Sequence, residues 1–165
     1  REDLGSSRAL FTGSPCSSGR PNPLREPDPV VFNSADGVAL HGLVYAPAPA
    51  SAPPPGLLLV HRPGADHSAW STFAERARQD GFLVLAFDLR GHGASVRRGA
   101  EVLSYKTFTD DDWRAAQHDL PAAKDALLAA GADPANLAVA GEAFGASLAL
   151  LFATVDPAMQ AVVMV

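Results

Sequence analysis

Four short apolar runs recur along this chain without a charge inside them, and they constrain its fold more than any other feature. They occupy residues 57–60, 82–87, 137–140 and 161–165. An apolar run of this length without alternation predicts a strand that is buried on both faces, as in a parallel sheet. Segments long enough for helices separate the runs, so the pattern predicts an α/β fold with repeated strand–helix units.

A β-hairpin is predicted before these repeats, at 30–32 and 38–46, with a turn at 35–37. Helices are predicted at 68–79, 111–130 and 145–154, and Pro121 should kink or split the second. The expected architecture is a mostly parallel sheet with helices on both faces. The last apolar run ends at Val165, and an uncovered apolar strand favours aggregation. We therefore expect a fragment, or a partner or second copy that covers the sheet.

Two segments of different composition divide the chain. Residues 1–29 are rich in Ser, Gly, Pro and Arg and lack an apolar period, which predicts a flexible leader. The folded domain is expected at 30–165. Cys16 is interpreted as an inert tail cysteine, with a lipidated cysteine after an export signal as the alternative. The compartment is therefore open between bacterial cytoplasm and tethering at the envelope through the leader.

Composition excludes several classes of function. Thirteen basic and eighteen acidic residues give a net charge of −5 without a basic stripe, which argues against nucleic acid as a partner. No apolar run approaches the length of a membrane span. The single cysteine excludes a disulfide framework. No metal or cofactor is predicted, because the chain has neither an H-E-x-x-H motif nor a phosphate-binding glycine motif.

The most informative motif is Gly141-Glu142-Ala143-Phe144-Gly145, between a predicted strand and a predicted helix. A sharp strand-to-helix turn strains its central residue and requires very small residues two positions away on each side. In a simpler alternative to a strained turn, the two glycines only allow the helix to approach the strand closely.

Two further segments follow the first two predicted parallel strands. The loop after the first strand reads His61-Arg62-Pro63-Gly64. The loop after the second reads DLRGHGAS, at 88–95.

Together these three segments resemble the α/β-hydrolase superfamily, over about 30–165. The turn resembles its nucleophile elbow, with Ala143 where serine is expected. The resemblance implies that the backbone N–H groups of Arg62 and Phe144 form an oxyanion hole. It also implies that 88–95 builds a loop, so Asp88, Arg90 and His92 are not expected to be catalytic. The segment Asp66-His67-Ser68-Ala69-Trp70, at the start of a predicted helix, is more loosely similar to bacterial members related to dienelactone hydrolases and carboxylesterases.

The resemblance implies an incomplete hydrolase of carboxylic esters or lactones, inactive as it stands. Ala143 has no nucleophilic atom, and the family's acid and histidine would follow Val165. The ligand is expected to be a small ester-like molecule. Two alternatives remain: a non-catalytic relative that binds a ligand through the retained cleft, and a short α/β binding domain unrelated to hydrolases.

Overall fold

The predicted hairpin and the four apolar strands join in one eight-stranded mixed sheet. This computed structural model describes residues 25–165; the leader predicted at 1–29, with Cys16, lies largely outside them. The strands are β1 (Asp28–Asn33), β2 (Val38–Tyr45), β3 (Pro55–Val60), β4 (Leu83–Phe87), β5 (Arg97–Arg98), β6 (Glu101–Val102), β7 (Asp133–Gly141) and β8 (Met159–Met164). The helices are α1 (Ser71–Gln79), α2 (Asp110–Ala115), α3 (Asp119–Ala129) and α4 (Phe144–Val155).

The strand order is β6-β5-β2-β4-β3-β7-β8, and β1 pairs with β2. Strands β4, β3, β7 and β8 run parallel to one another. The β1–β2 hairpin joins them in antiparallel orientation, through the pairing of β2 with β4. The predicted α/β class, the parallel strands and the hairpin are confirmed.

Both faces of β3, β4 and the second half of β7 are covered, which explains why their apolar runs do not alternate. On one face Leu58 and Val139 pack in the main core with α3 and α4. On the other face Leu59 and Ala86 pack in a second core that includes Ala74 of α1. Helices therefore lie on both faces, as predicted.

The long helix predicted at 111–130 is split in two. A short 3-10 turn, Ala116–His118, separates α2 from α3, and Pro121 lies in the first turn of α3. Proline has no N–H to donate to the carbonyl four residues earlier, at Gln117, so it fits a first turn better than a helix interior.

Several boundaries differ from the sequence expectation. Strand β1 begins at Asp28, inside the segment assigned to the leader, because Asp28 and Pro29 pair with β2. Strand β7 begins at Asp133, four residues early. Strands β5 and β6 were not predicted, since strands of two residues are too short to carry a hydrophobic period.

One edge of the sheet is β8, which ends in exposed apolar residues. Val163 is 49% exposed and Met164 60%, and Val165, directly after the strand, is 73% exposed. The covering of this strand by a partner or second copy stays a prediction. Within residues 25–165, every helix is too short or too polar to cross a membrane.

Candidate active site

The turn between β7 and α4 has the strained backbone that the sequence motif predicts. Ala143 has φ 52° and ψ −118°, and it is the only non-glycine residue of 25–165 with a positive φ. A side chain in this conformation clashes with its own backbone, so glycine normally occupies it. The side chain of Ala143 is exposed. The fold therefore holds residue 143 at the surface in a conformation that costs free energy.

The two flanking glycines are required by close backbone contacts. A Cβ atom on Gly141 would lie 2.3 Å from the Gly145 carbonyl oxygen. A Cβ atom on Gly145 would lie 2.6 Å from the carbonyl oxygens of Val60 and His61. Both distances are far below van der Waals contact. Gly141 and Gly145 thus let the start of α4 lie against the end of β3.

Two backbone N–H groups at this turn are free of protein acceptors. Within residues 25–165, neither the Arg62 N–H nor the Phe144 N–H donates a hydrogen bond to the protein. Phe144 is the first residue of α4, where N–H groups have no intrahelical acceptor and the helix dipole is positive. Pro63 has no N–H to offer. Both groups are therefore available to a bound oxygen.

An ion pair connects the two segments that carry these N–H groups. The Arg62 guanidinium donates from Nη1 to Glu142 Oε1 at 2.9 Å and to Oε2 at 3.2 Å. The Arg62 side chain is 54% exposed and that of Glu142 31%. Arg62 therefore has further donors open to solvent.

Two buried histidines lie beneath the loop after β3. His61 Nε2 accepts a hydrogen bond from the Leu89 N–H at 3.0 Å, and its Nδ1 lies 2.7 Å from the Arg62 carbonyl oxygen. Burial lowers the pKa of His61, and the same cause lowers the pKa of His92. The Nδ1 of His92 lies 2.9 Å from the Arg90 carbonyl oxygen. Both imidazoles are therefore neutral supports of the loop, closed to solvent.

The segment at 88–95 makes the loop-building contacts predicted for it. Asp88 Oδ2 accepts a hydrogen bond from the Ala94 N–H at 2.8 Å. Arg90 donates from Nη2 to buried Asp119 at 2.7 Å and from Nη1 to Asp36 at 2.7 Å. Arg90 holds the pKa of Asp36 well below its usual range. These side chains tie loops together, and none reaches Ala143.

One group of side chains with metal-ligand chemistry was not predicted. Potential ligand atoms of Asp66, His67 and Asp88 lie within 4.8 Å of one another. These atoms already have partners: Asp88 Oδ1 accepts from the His67 N–H and lies 2.7 Å from His67 Nδ1. Asp66 Oδ1 accepts from the Ser68 N–H. The cluster is explained by its own hydrogen bonds.

An apolar surface borders the turn on the α2 side. The rings of Trp113 and Phe144 meet edge to face, with centroids 4.9 Å apart. Leu148, one helical turn after Phe144, is almost fully buried beside them. Sequence reasoning missed this surface and the Arg62–Glu142 pair, because their partners lie far apart in the chain.

Comparisons with known proteins identify a family whose model matches most of the chain. The model of the family described as serine aminopeptidase, S33, matches residues 52–165. An uncharacterized protein of Mycobacterium tuberculosis is 31% identical over 129 residues, which are 78% of this chain and 41% of that protein. The chain thus spans less than half the length of this curated relative.

Solved structures share the fold. The α/β hydrolase GrgF of Penicillium sp. sh18 superposes with a TM-score of 0.66 at 23% identity, over 84% of this chain and 45% of that one. A hypothetical protein of Pseudomonas aeruginosa, PA2218, gives a TM-score of 0.70 at 21% identity, over 99% of this chain and 48% of that one.

Proposed function

This chain belongs to the serine aminopeptidase S33 family of α/β hydrolases, and on that premise we propose that it binds a carboxylic ester or lactone at Ala143 without hydrolysing it. The family membership removes the interpretation as an unrelated α/β binding domain. The carbonyl oxygen of the ligand would accept hydrogen bonds from the N–H groups of Arg62 and Phe144.

The observation that carries the proposal is the backbone of Ala143. A positive φ in a non-glycine residue is strained, and strain of this kind persists where surrounding structure enforces it. Acyl transfer requires a nucleophilic oxygen or sulfur on the residue at this position. The methyl group of Ala143 has no lone pair, so binding is retained and attack is lost.

An ester or lactone fits the site better than a peptide with a free amino terminus. An aminopeptidase site needs an anionic group to hold the substrate ammonium. Glu142, the carboxylate next to Ala143 in the chain, is already paired with Arg62. The neighbouring rings of Trp113 and Phe144 favour an apolar ligand instead.

Two explanations of the alanine at position 143 both predict that this chain binds a ligand without hydrolysing it. In one, serine of an active esterase has been replaced; in the other, alanine is native and the protein is a binding protein. Top-down mass spectrometry of the protein from its natural source distinguishes them. Serine at position 143 would indicate an active parent enzyme, and alanine a binding protein.

The direct test combines amide NMR with a turnover assay. In a titration with γ-butyrolactone, we expect saturable shifts of the Arg62 and Phe144 amide signals, with the remote Gly99 amide as the reference. With p-nitrophenyl butyrate, we expect no release above buffer. Unchanged Arg62 and Phe144 amides would refute the site, and turnover by the alanine protein would refute the inactivity.

A further inference from the structure

The two N–H groups of the proposed oxygen site belong to residues of different chemistry. Phe144 carries one of them, and its ring packs edge to face on Trp113, so apolar rings border this donor. Arg62 carries the other, and its side chain ends in a half-exposed guanidinium. A ligand whose carbonyl oxygen accepts from both N–H groups therefore has an apolar surface near one donor and a cation within reach of the other.

The guanidinium of Arg62 is only partly occupied. Its Nη1 donates to both carboxylate oxygens of Glu142, at 2.9 Å and 3.2 Å. Within residues 25–165, the Nε and Nη2 groups of Arg62 have no acceptor. These two nitrogens form one side of the planar guanidinium fork, which binds a carboxylate through two parallel N–H groups. The two-point mode of carboxylate binding is therefore still open.

Glu142 competes for the guanidinium without saturating it. Both side chains of the pair are partly exposed, so water screens their attraction. The Glu142 N–H donates to the Val60 carbonyl oxygen at 3.1 Å, which holds the Glu142 backbone beside the end of β3. The guanidinium is thus held at the junction of the loop and the turn, where a second carboxylate can approach it from solvent.

The covalent structure of Arg62 limits the length of a ligand that uses both of its donor groups. Three methylene groups separate the backbone of arginine from its guanidinium. A ligand that contacts the N–H and the guanidinium must therefore carry its carboxylate a short distance from its carbonyl. A monoester of glutaric acid has the same number of methylene groups between its ester carbonyl and its carboxylate. A short dicarboxylic monoester matches this spacing.

From this arrangement we infer that the Arg62 guanidinium recognises a carboxylate on the ligand, so that the ester bound at Ala143 is a monoester of a short dicarboxylic acid. The inference rests on the proposed function for the position of the carbonyl. It narrows the substrate class from esters in general to esters that carry a carboxylate, and it makes Arg62 the residue that determines this specificity.

Two esters that differ by a single charge provide the first test. Monomethyl glutarate and dimethyl glutarate share the ester and the spacer, and only the first carries a carboxylate. In an NMR titration, both should shift the backbone amides of Arg62 and Phe144, with Gly99 as the reference. Only monomethyl glutarate should shift the Arg62 Nε–H signal. It should bind about fivefold more tightly than the diester, and this preference should shrink as ionic strength rises.

Three variants test whether Arg62 causes the preference. Arg62→Gln should abolish the preference for the monoester over the diester. Arg62→Lys keeps the charge but loses the planar fork, so it should retain only part of the preference. Arg98→Gln is the matched control, because Arg98 is also a partly exposed arginine paired with a glutamate, Glu101. It should keep the full preference. The measured quantity is a ratio of two affinities, so a general loss of binding affects both ligands equally and does not count as support.

The spacing is tested with monomethyl esters from malonate to pimelate. Affinity should be highest at succinate or glutarate. A steady increase up to pimelate would indicate apolar contact with the chain and would refute the spacing.

The outcomes separate this inference from the proposed function. Shifted backbone amides with equal affinities for the monoester and the diester would refute recognition by Arg62 while keeping the proposed function. A shifted Arg62 Nε–H signal with unchanged backbone amides would refute the proposed function while keeping a carboxylate site at Arg62. Equal losses of preference in Arg62→Gln and Arg98→Gln would indicate an effect of overall charge and would refute the inference.

Discussion

Arg62 and Glu142, eighty positions apart in the chain, form a 2.9 Å ion pair at the edge of the candidate site. The pair joins the loop after β3 to the turn before α4, which are the two segments that carry the proposed oxygen-binding N–H groups. Both side chains are partly exposed, so solvent screens the pair. We therefore expect the ion pair to affect ligand binding more than the stability of the fold.

Glu142→Gln is expected to change the free energy of unfolding by less than about 1 kcal/mol. It should also strengthen the binding of a carboxylate ligand more than that of a neutral lactone, because Arg62 loses its competing partner. Calorimetric titration with butanoate and γ-butyrolactone measures the two affinities, and urea unfolding measures the stability. Glu101→Gln, in the remote Arg98–Glu101 pair, removes the same charge and is the control. Equal effects of the two variants would indicate a change in overall charge only.

Ala143→Gly is expected to stabilise the protein by about 1 kcal/mol. Glycine adopts the φ of 52° without the Cβ clash. The free energy gained by removing this clash exceeds the cost of the greater conformational freedom that glycine has in the unfolded chain. The usual sign of an alanine-to-glycine change in a helical segment is the opposite. Ala153→Gly within α4 is therefore the control, with an expected loss of about 1 kcal/mol. Urea unfolding measures both, and a loss of stability in Ala143→Gly would show that position 143 is unstrained.

Gly145→Ala is expected to destabilise the protein by about 3 kcal/mol, because the added methyl group would push α4 away from the backbone of Val60 and His61. Gly99→Ala separates this steric cost from the cost of backbone conformation. Gly99 also has a positive φ, +58°, but a methyl group there meets nothing within 4 Å. We expect it to cost about 1 kcal/mol. Similar losses in the two variants would contradict the close contact of α4 with β3.

Local patterns in the sequence were sufficient for the framework of the fold. Strands β3 and β4 and the end of β7 are buried on both faces, so each appears as a continuous apolar run regardless of its neighbours. The split of the long helix followed from Pro121, whose missing N–H acts locally. The requirement for glycine at 141 and 145 followed from the sharpness of one turn. Each of these signals depends on residues close together in sequence.

The features that were missed depend on residues far apart in sequence. Strand β5 exists because Arg97 and Arg98 pair with Ala39 and Val38, a contact that no local pattern encodes. The early start of β7 depends on the pairing of Asp133 with Pro55. The contact of Trp113 with Phe144 depends on how α2 and α4 lie beside each other. Such contacts become visible only when the strand order is known.

The stability of the protein should fall as the pH is lowered from about 7.5 to about 5, and the buried pair His61 and His92 should cause much of the loss. Burial lowers the pKa of both imidazoles in the folded state, whereas in the unfolded chain histidine titrates near pH 6.5. Below that pH the unfolded state binds more protons than the folded state, so protonation favours unfolding.

The hydrogen bond of His61 also predicts that protonation destabilises the folded state. Its Nε2 must stay unprotonated to accept the hydrogen bond from the Leu89 N–H. Asp36 contributes in a different range, because the Arg90 guanidinium lowers its pKa and its stabilisation is lost only in strong acid. The stability lost through the buried histidines is therefore expected at milder pH than the stability lost through Asp36.

Urea unfolding at the two pH values, with His92→Phe, tests this assignment. Phenylalanine keeps a ring to stack on Tyr105, which lies 4.2 Å from the His92 ring between centroids, and it removes the titrating group. His92→Phe should therefore reduce the difference in unfolding free energy between the two pH values. His118→Gln, at an exposed position, is the control and should leave that difference unchanged. If His92→Phe also leaves it unchanged, His92 takes up no proton on unfolding, and its environment in the folded protein is not the closed one described.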